Sequence, residues 1–112
     1  EEIFTGNKLL ILISNRAKMS SSNLDEIDAL VKDLKSSPIQ VVLVAAASQE
    51  EIDQLLLDQG WDILALQADA TVVKTIVRSN PGIMLLKEGT VIGKFHHNNT
   101  PDASEVLDLY IQ

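Results

Sequence analysis

The 112-residue chain predicts a single α/β domain, a three-layer α/β/α sandwich in the order β-α-β-α-β-α-β-β-α. Three observations predict it. Continuous apolar runs, the signature of strands buried on both faces, occur at Lys8–Ser14 and Ile39–Ala45. Between the runs lie segments whose apolar residues recur every three or four positions, the period of a helix. Near the end, two apolar runs flank the turn Lys87-Glu88-Gly89, which reads as a hairpin. Alternating β and α units require parallel strands joined by right-handed crossovers, and the hairpin adds antiparallel pairing at one edge.

Residues 1–7 form a short lead-in closed by Gly6-Asn7. A chain opening on Glu1-Glu2 without Met is expected to be a piece excised from a longer one. After the first strand, Asn15–Ser22 is a polar loop with Arg16 and Lys18. Asn23 and Glu26 stand at capping-box spacing before a helix whose stripe is Leu24, Ile27, Leu30, Val31 and Leu34. Ser36-Ser37-Pro38 ends it. Ser48 and Glu51 form a second capping box, opening a helix with Ile52, Leu55 and Leu56 inward. Gly60 stops that helix, and Trp61 supplies the apolar contact beyond a glycine cap.

Ile63–Leu66 is a short strand, and Asp69 caps a third helix with Val72, Val73, Ile76 and Val77 inward. Ser79-Asn80-Pro81-Gly82 is a polar bend. Pro81 lacks an N–H and suits the first position of a strand, so the bend enters the hairpin Ile83–Phe95. Within its second strand, Val91, Gly93 and Phe95 share one pleat face. Thr100 caps the last helix with Pro101 at its first position, and Val106, Leu107 and Tyr110 form its apolar side.

Composition removes several function classes. The net charge of −7, from 16 acidic against 9 basic residues, and the lack of a Lys/Arg cluster argue against nucleic acid. With no cysteine the chain cannot itself supply a disulfide, a thiolate metal ligand or a thiol nucleophile. No nucleotide-binding glycine motif and no nucleophile elbow occur, and no cofactor is called for. The chain contains no apolar run of about 20 residues, the length that crosses a bilayer as a helix. The aromatic residues are only Phe4, Trp61, Phe95 and Tyr110, so the core rests on Leu, Ile, Val and Ala.

The closing segment resembles the thioredoxin family. There a proline is followed by an apolar run, then Lys, a polar residue, Gly, any residue and Val. Here the same order is Pro81, Ile83–Leu86, Lys87-Glu88-Gly89-Thr90-Val91. Ala17-Lys18-Met19 followed by Leu24-Asp25-Glu26-Ile27 resembles the family's first helix. The additional helix–strand pair from Ser48 to Leu66 is similar to the insertion of the TlpA and peroxiredoxin-like branch. More narrowly, the stretch from Arg78 to Asn98 resembles the thioredoxin-like domain at the C-terminus of DoxX-type bacterial membrane proteins. The resemblance implies that Pro81 is the family's cis-proline. It also places the redox Cys-x-x-Cys window on Ser14–Ala17, where both cysteines are missing.

Three loops carry the candidate site: Asn15 and Arg16, Asn80 and Pro81, His97 and Asn98. Arg16 would offer a cation to an anion, the plainer alternative being a solvated loop that has lost its chemistry. Asn80 would present its backbone to an extended peptide, the plainer alternative being a turn kept for folding. His96 and His97 on an extended segment would point to opposite sides and are poorly arranged to chelate one metal together. The acidic residues near helix starts are explained by the helix dipole.

The expected function is a non-catalytic, cysteine-free thioredoxin-like module that binds a protein or extended peptide. The resemblance implies a soluble domain tethered to a bacterial membrane, on its periplasmic side. The alternative is an accessory domain of a thiol-disulfide oxidoreductase system whose cysteines lie elsewhere in the chain or on a partner.

Overall fold

Five strands form one mixed sheet, β1 (Asn7–Ile13), β2 (Gln40–Ala45), β3 (Leu64–Gln67), β4 (Gly82–Lys87) and β5 (Thr90–Phe95). The computed structural model describes residues 6–15, 19–76 and 79–111. The expectations placed on Arg16, Ala17, Lys18, Val77 and Arg78 lie outside the described residues. Four helices accompany the sheet, α1 (Leu24–Asp33), α2 (Gln49–Gln59), α3 (Ala70–Ile76) and α4 (Ala103–Ile111). The strand order is β3-β2-β1-β4-β5. β1, β2 and β3 run parallel, β4 is antiparallel to β1, and β5 returns antiparallel to β4. The predicted element order is the observed one.

β1 is central, and its side chains from Leu9 to Ile13 are all buried. Alternation divides them between two cores. Leu9, Ile11 and Ile13 face the larger, built with Val41, Leu43 and Ala45 of β2 and Ile83 and Leu85 of β4. Residues of α1, α2 and α4 cover this side. Leu10 and Leu12 face the smaller, with Val42, Met84, Leu86 and Val73 of α3. The three layers are thus unequal, with three helices on one side of the sheet and one on the other.

Local chemistry fixes the helix ends. Ser48 and Glu51 complete a capping box at α2, and Gly60 takes the left-handed conformation (φ 69°) that ends it. Trp61 then bonds back through its N–H to Leu56 O (3.0 Å), while its ring nitrogen donates to Asp28 Oδ1 on α1 (2.6 Å). Asp69 caps α3 through the Thr71 N–H. Glu88 and Gly89 both have positive φ, the signature of a two-residue type I′ hairpin turn.

Several expectations are corrected. Asn23 precedes α1 but makes no side-chain cap. Its amide is turned instead toward Thr100. Thr100 does not cap α4, because Asp102 Oδ1 accepts the Glu105 N–H at 2.8 Å and fills that role. Val72 and Leu107 are exposed rather than inward. Val91 and Phe95 fall on opposite faces, because the pairing with β4 skips Ile92 between Gly93 and Val91. This β-bulge reverses the alternation within β5. Val91 therefore stands 46% exposed opposite Leu86, while Ile92 and Phe95 pack on the larger core.

Burial decides where substitutions hurt. Ile11→Ala empties part of a sealed core and should cost about 2–5 kcal/mol in urea unfolding, whereas Leu57→Ala, at a side chain 77% exposed, should stay within about 0.5 kcal/mol.

Tyr110 supplies a second test. Its buried hydroxyl donates to Lys8 O, and burial, partly offset by the backbone of Leu86, pushes it up to about 12 from 10.0. A phenol whose folded pKa is raised contributes stability below its unfolded value that is lost as pH climbs toward the folded one. Tyr110 is the single tyrosine, so tyrosinate absorbance should titrate near 12 in the folded chain and near 10.0 in denaturant.

Candidate functional site

The sheet register brings three loops together. Because β4 is antiparallel to β1, with Leu12 opposite Gly82, the end of β1 arrives beside the start of β4. That places Asn15 next to the bend Ser79-Asn80-Pro81. Phe95 at the end of β5 pairs with Ile83, so His96 and His97 emerge on the other side of the same bend. Asn15, Asn80, Pro81 and His97 are thus gathered by strand pairing alone. The Asn80–Pro81 peptide bond is cis.

Hydrogen bonds knit the loops. The Asn80 side-chain amide donates to Asn15 O (2.7 Å). The Asn80 carbonyl accepts the Ser20 N–H (2.8 Å), which ties the segment leading into α1 to the bend. Ser79 is buried, and its hydroxyl serves twice: it donates to Pro81 O (2.8 Å) and accepts the His97 N–H (2.9 Å). From His97 the chain of bonds continues, with the Thr100 hydroxyl donating to His97 O (3.2 Å) and accepting the Asn23 amide (2.7 Å).

This geometry changes two expectations. Pro81 is buried, and the accessible groups at the bend belong to Asn15, Asn80, His97 and Asn98. The Asn80 carbonyl accepts the Ser20 N–H of the same chain, which uses one of that oxygen's two lone pairs. The histidines do not point apart. A 3-10 turn spans His97–Asn99, His96 Nδ1 accepts the Asn98 N–H (3.2 Å), and the two rings stand 4.1 Å apart, tilted by 37°. The segment is not extended, so strand alternation does not govern it.

Among the described residues, the buried side-chain polar atoms without a hydrogen-bond partner are Asn23 Oδ1, Asn80 Oδ1 and His97 Nδ1. All three residues belong to the knot just described. Each can accept an N–H or O–H donor. No group of three or more His, Cys, Asp or Glu side chains converges as a metal-ligand set among the described residues.

Ser79, Ser20, Asn23 and Thr100 are members of this site that the sequence did not single out. Ser79 had one local signal, a small hydroxyl two residues before a strand-opening proline. The pairing of Asn23 with Thr100, 77 positions apart, had none.

Solved structures of other proteins share the architecture. A thioredoxin-like protein from Aeropyrum pernix superposes with a TM-score of 0.69 at 16% identity, over 94% of this chain and 76% of that one. A secreted thiol-disulfide isomerase from Corynebacterium glutamicum gives 0.68 at 13% identity, over 97% of this chain and 71% of that one. A thiol:disulfide interchange protein of the thioredoxin family from Chlorobium tepidum gives 0.67 at 13% identity, over 95% and 78%. No protein-family model matches the chain, and no curated protein matches it in sequence. The fold is thioredoxin-like, and the chain contains no cysteine.

Ser79 is the joint of the knot. Ser79→Ala leaves the His97 N–H without its acceptor and should destabilise the domain by about 1–3 kcal/mol in urea unfolding. The His97 amide should show the largest chemical-shift change outside the mutated residue.

Proposed function

We propose that this chain is a non-catalytic thioredoxin-like module that binds an extended peptide or protein segment across Asn15, Arg16, Asn80, Pro81, His97 and Asn98. One observation carries the reading: the unpartnered buried acceptors Asn23 Oδ1, Asn80 Oδ1 and His97 Nδ1 all sit in the single knot behind that surface. Native interiors leave few polar atoms unpaired, and a cluster of them asks for a ligand or ordered water. The Asn80 carbonyl holds the Ser20 N–H with one of its two lone pairs, and Asn98 is an exposed contact at the rim.

The setting that goes with this reading is a tethered one, the domain being the soluble appendage of a DoxX-type bacterial membrane protein, facing the periplasm. The tether would lie outside the described residues, among which no helix is long and apolar enough to cross a membrane. The names of the neighbours, an isomerase and an interchange protein, favour a second reading. In it the chain is an accessory domain of a thiol-disulfide system whose cysteines lie elsewhere in a longer chain or on the partner. A full-length gene product carrying cysteine pairs would favour that second reading.

Peptides enriched from a randomised library on the isotope-labelled chain provide the test. Their addition should move amide signals at Asn15, Ser20, Ser79, Asn80, His97 and Asn98. Shifts confined to α2 or α3, or a library with no enrichment, would overturn the proposal.

A further inference from the structure

The two edges of the sheet are finished differently. β5, at one edge, carries Lys94 exposed in mid-strand and the bulge at Ile92, devices that turn an edge away from another strand. β3, at the other, is Leu64-Ala65-Leu66-Gln67, without charge or proline and in regular register with β2. Leu64 is 51% exposed and Leu66 37%.

Hydrogen-bond parity fixes which backbone groups of β3 face outward. The Ala68 N–H donates to Ala45 O of β2 (3.0 Å). Residues of a paired strand alternate in direction, so Leu66 and Leu64 bond to β2 as Ala68 does. The N–H and C=O groups of Ala65 and Gln67 therefore point away from β2, where the sheet has no further strand. Such a row is a template for an added strand. The side chains alternate as well. Leu64 and Leu66 stand beside Val42 and Val44 on the α3 side of the sheet, and Ala65 packs on the larger core.

Charge decides which strand fits. From Ser36 to Val73 the sequence holds Glu50, Glu51, Asp53, Asp58, Asp62 and Asp69 and no Lys, Arg or His, nearly the whole net charge of −7. Asp62 and Asp69 stand just before and just after β3, and the other four lie on α2, the crossover between β2 and β3. The helix dipole accounts for Glu50 and Glu51 in the first turn of α2 but not for Asp58 in its last. A second copy of this edge would bring like charge against like. A basic segment meets the opposite sign.

We infer that the β3 edge receives an extended, basic protein segment in which apolar residues alternate with Lys or Arg. Main-chain bonds to Ala65 and Gln67 hold the added strand. Its apolar side chains line up beside Leu64 and Leu66 on the α3 side. Alternation then turns its cations to the other side, the one covered by the acidic helix α2. β2 and β1 separate this edge from the proline bend at the start of β4, so the two surfaces are independent.

The probe is a capped synthetic peptide of alternating Val and Lys, titrated into the isotope-labelled chain. The amide signals of Ala65 and Gln67 should move, while those of Asn80 and His97 stay. A peptide alternating Val and Glu should not bind. Ala65→Pro removes an outward N–H that β2 does not use, so the variant should keep the wild-type circular dichroism. Its affinity for the Val–Lys peptide should fall about three- to tenfold, the effect of one or two hydrogen bonds. Leu64→Lys puts a charge at a half-exposed position of the edge and should weaken binding to a similar degree. It decides the matter if the proline variant unfolds. Full-strength binding to Leu64→Lys, equal binding of the Val–Glu peptide, shifts that miss Ala65 and Gln67, or no binding to the wild-type chain would overturn the inference. So would concentration-dependent shifts at Ala65 and Gln67 in the free chain, the sign of a second copy on the edge. Each of these results leaves the peptide-binding reading at the proline bend standing.

Discussion

The burial of β1 on both faces is the constraint on which the rest of the structure depends. Leu9–Ile13 can leave water on both sides only if helices cover the sheet above and below. The parallel partner β2 and the antiparallel partner β4 then occupy its two edges. The antiparallel choice at β4 has a consequence for the site. It turns the start of β4 toward the end of β1, so two polar loops that belong to opposite halves of the sequence must meet. Neither loop has a regular ladder to satisfy its backbone, and the Asn80–Asn15 and Ser20–Asn80 bonds are how that need is met.

The knot around Ser79 spends little to hold much. One buried hydroxyl pins the strand-opening proline to the loop after β5, and Thr100 passes the connection on to the head of α1. Each such bond contributes about 0.5–1.5 kcal/mol net, but an unpaired buried acceptor costs about 1–3 kcal/mol. Three unpaired acceptors in one knot therefore weigh against a large part of a domain stability of about 5–15 kcal/mol.

Much of the fold was legible in the sequence because single segments carry it. The apolar runs of β1 and β2, the α1 stripe from Ile27 to Leu34, the Ser48–Glu51 box and the Gly60 stop all act within a few residues of themselves. The failures share a cause as well. Asn23 and Thr100 look like caps in isolation, but across the fold the Asn23 amide is turned to Thr100, and Asp102 takes the capping role at α4. The Ile92 bulge leaves no local mark beyond Gly93, whose missing Cβ lets the Phe95 ring close over it; an added Cβ would sit 3.1 Å from that ring. At the site, the three participating loops could be named from the sequence. Ser79 as their joint and Ser20 as the partner of the Asn80 carbonyl could not, since both bonds exist only once β1 and β4 have paired.

The absence of cysteine and the Ser20–Asn80 bond bear on each other. Thiol-disulfide exchange proceeds through a thiolate attacking a disulfide sulfur, so it needs an accessible cysteine with room around it for the second chain. Here the window Ser14–Ala17 holds none, and the Ser20 N–H has closed onto Asn80 O. A carbonyl left open beside a buried bend would be an unpaired acceptor, and the segment leading into α1 is the nearest donor able to fill it. Once it does so, one of that oxygen's two lone pairs is committed within the chain, and the accessible side chains left around the bend are those of Asn15, Asn80, His97 and Asn98.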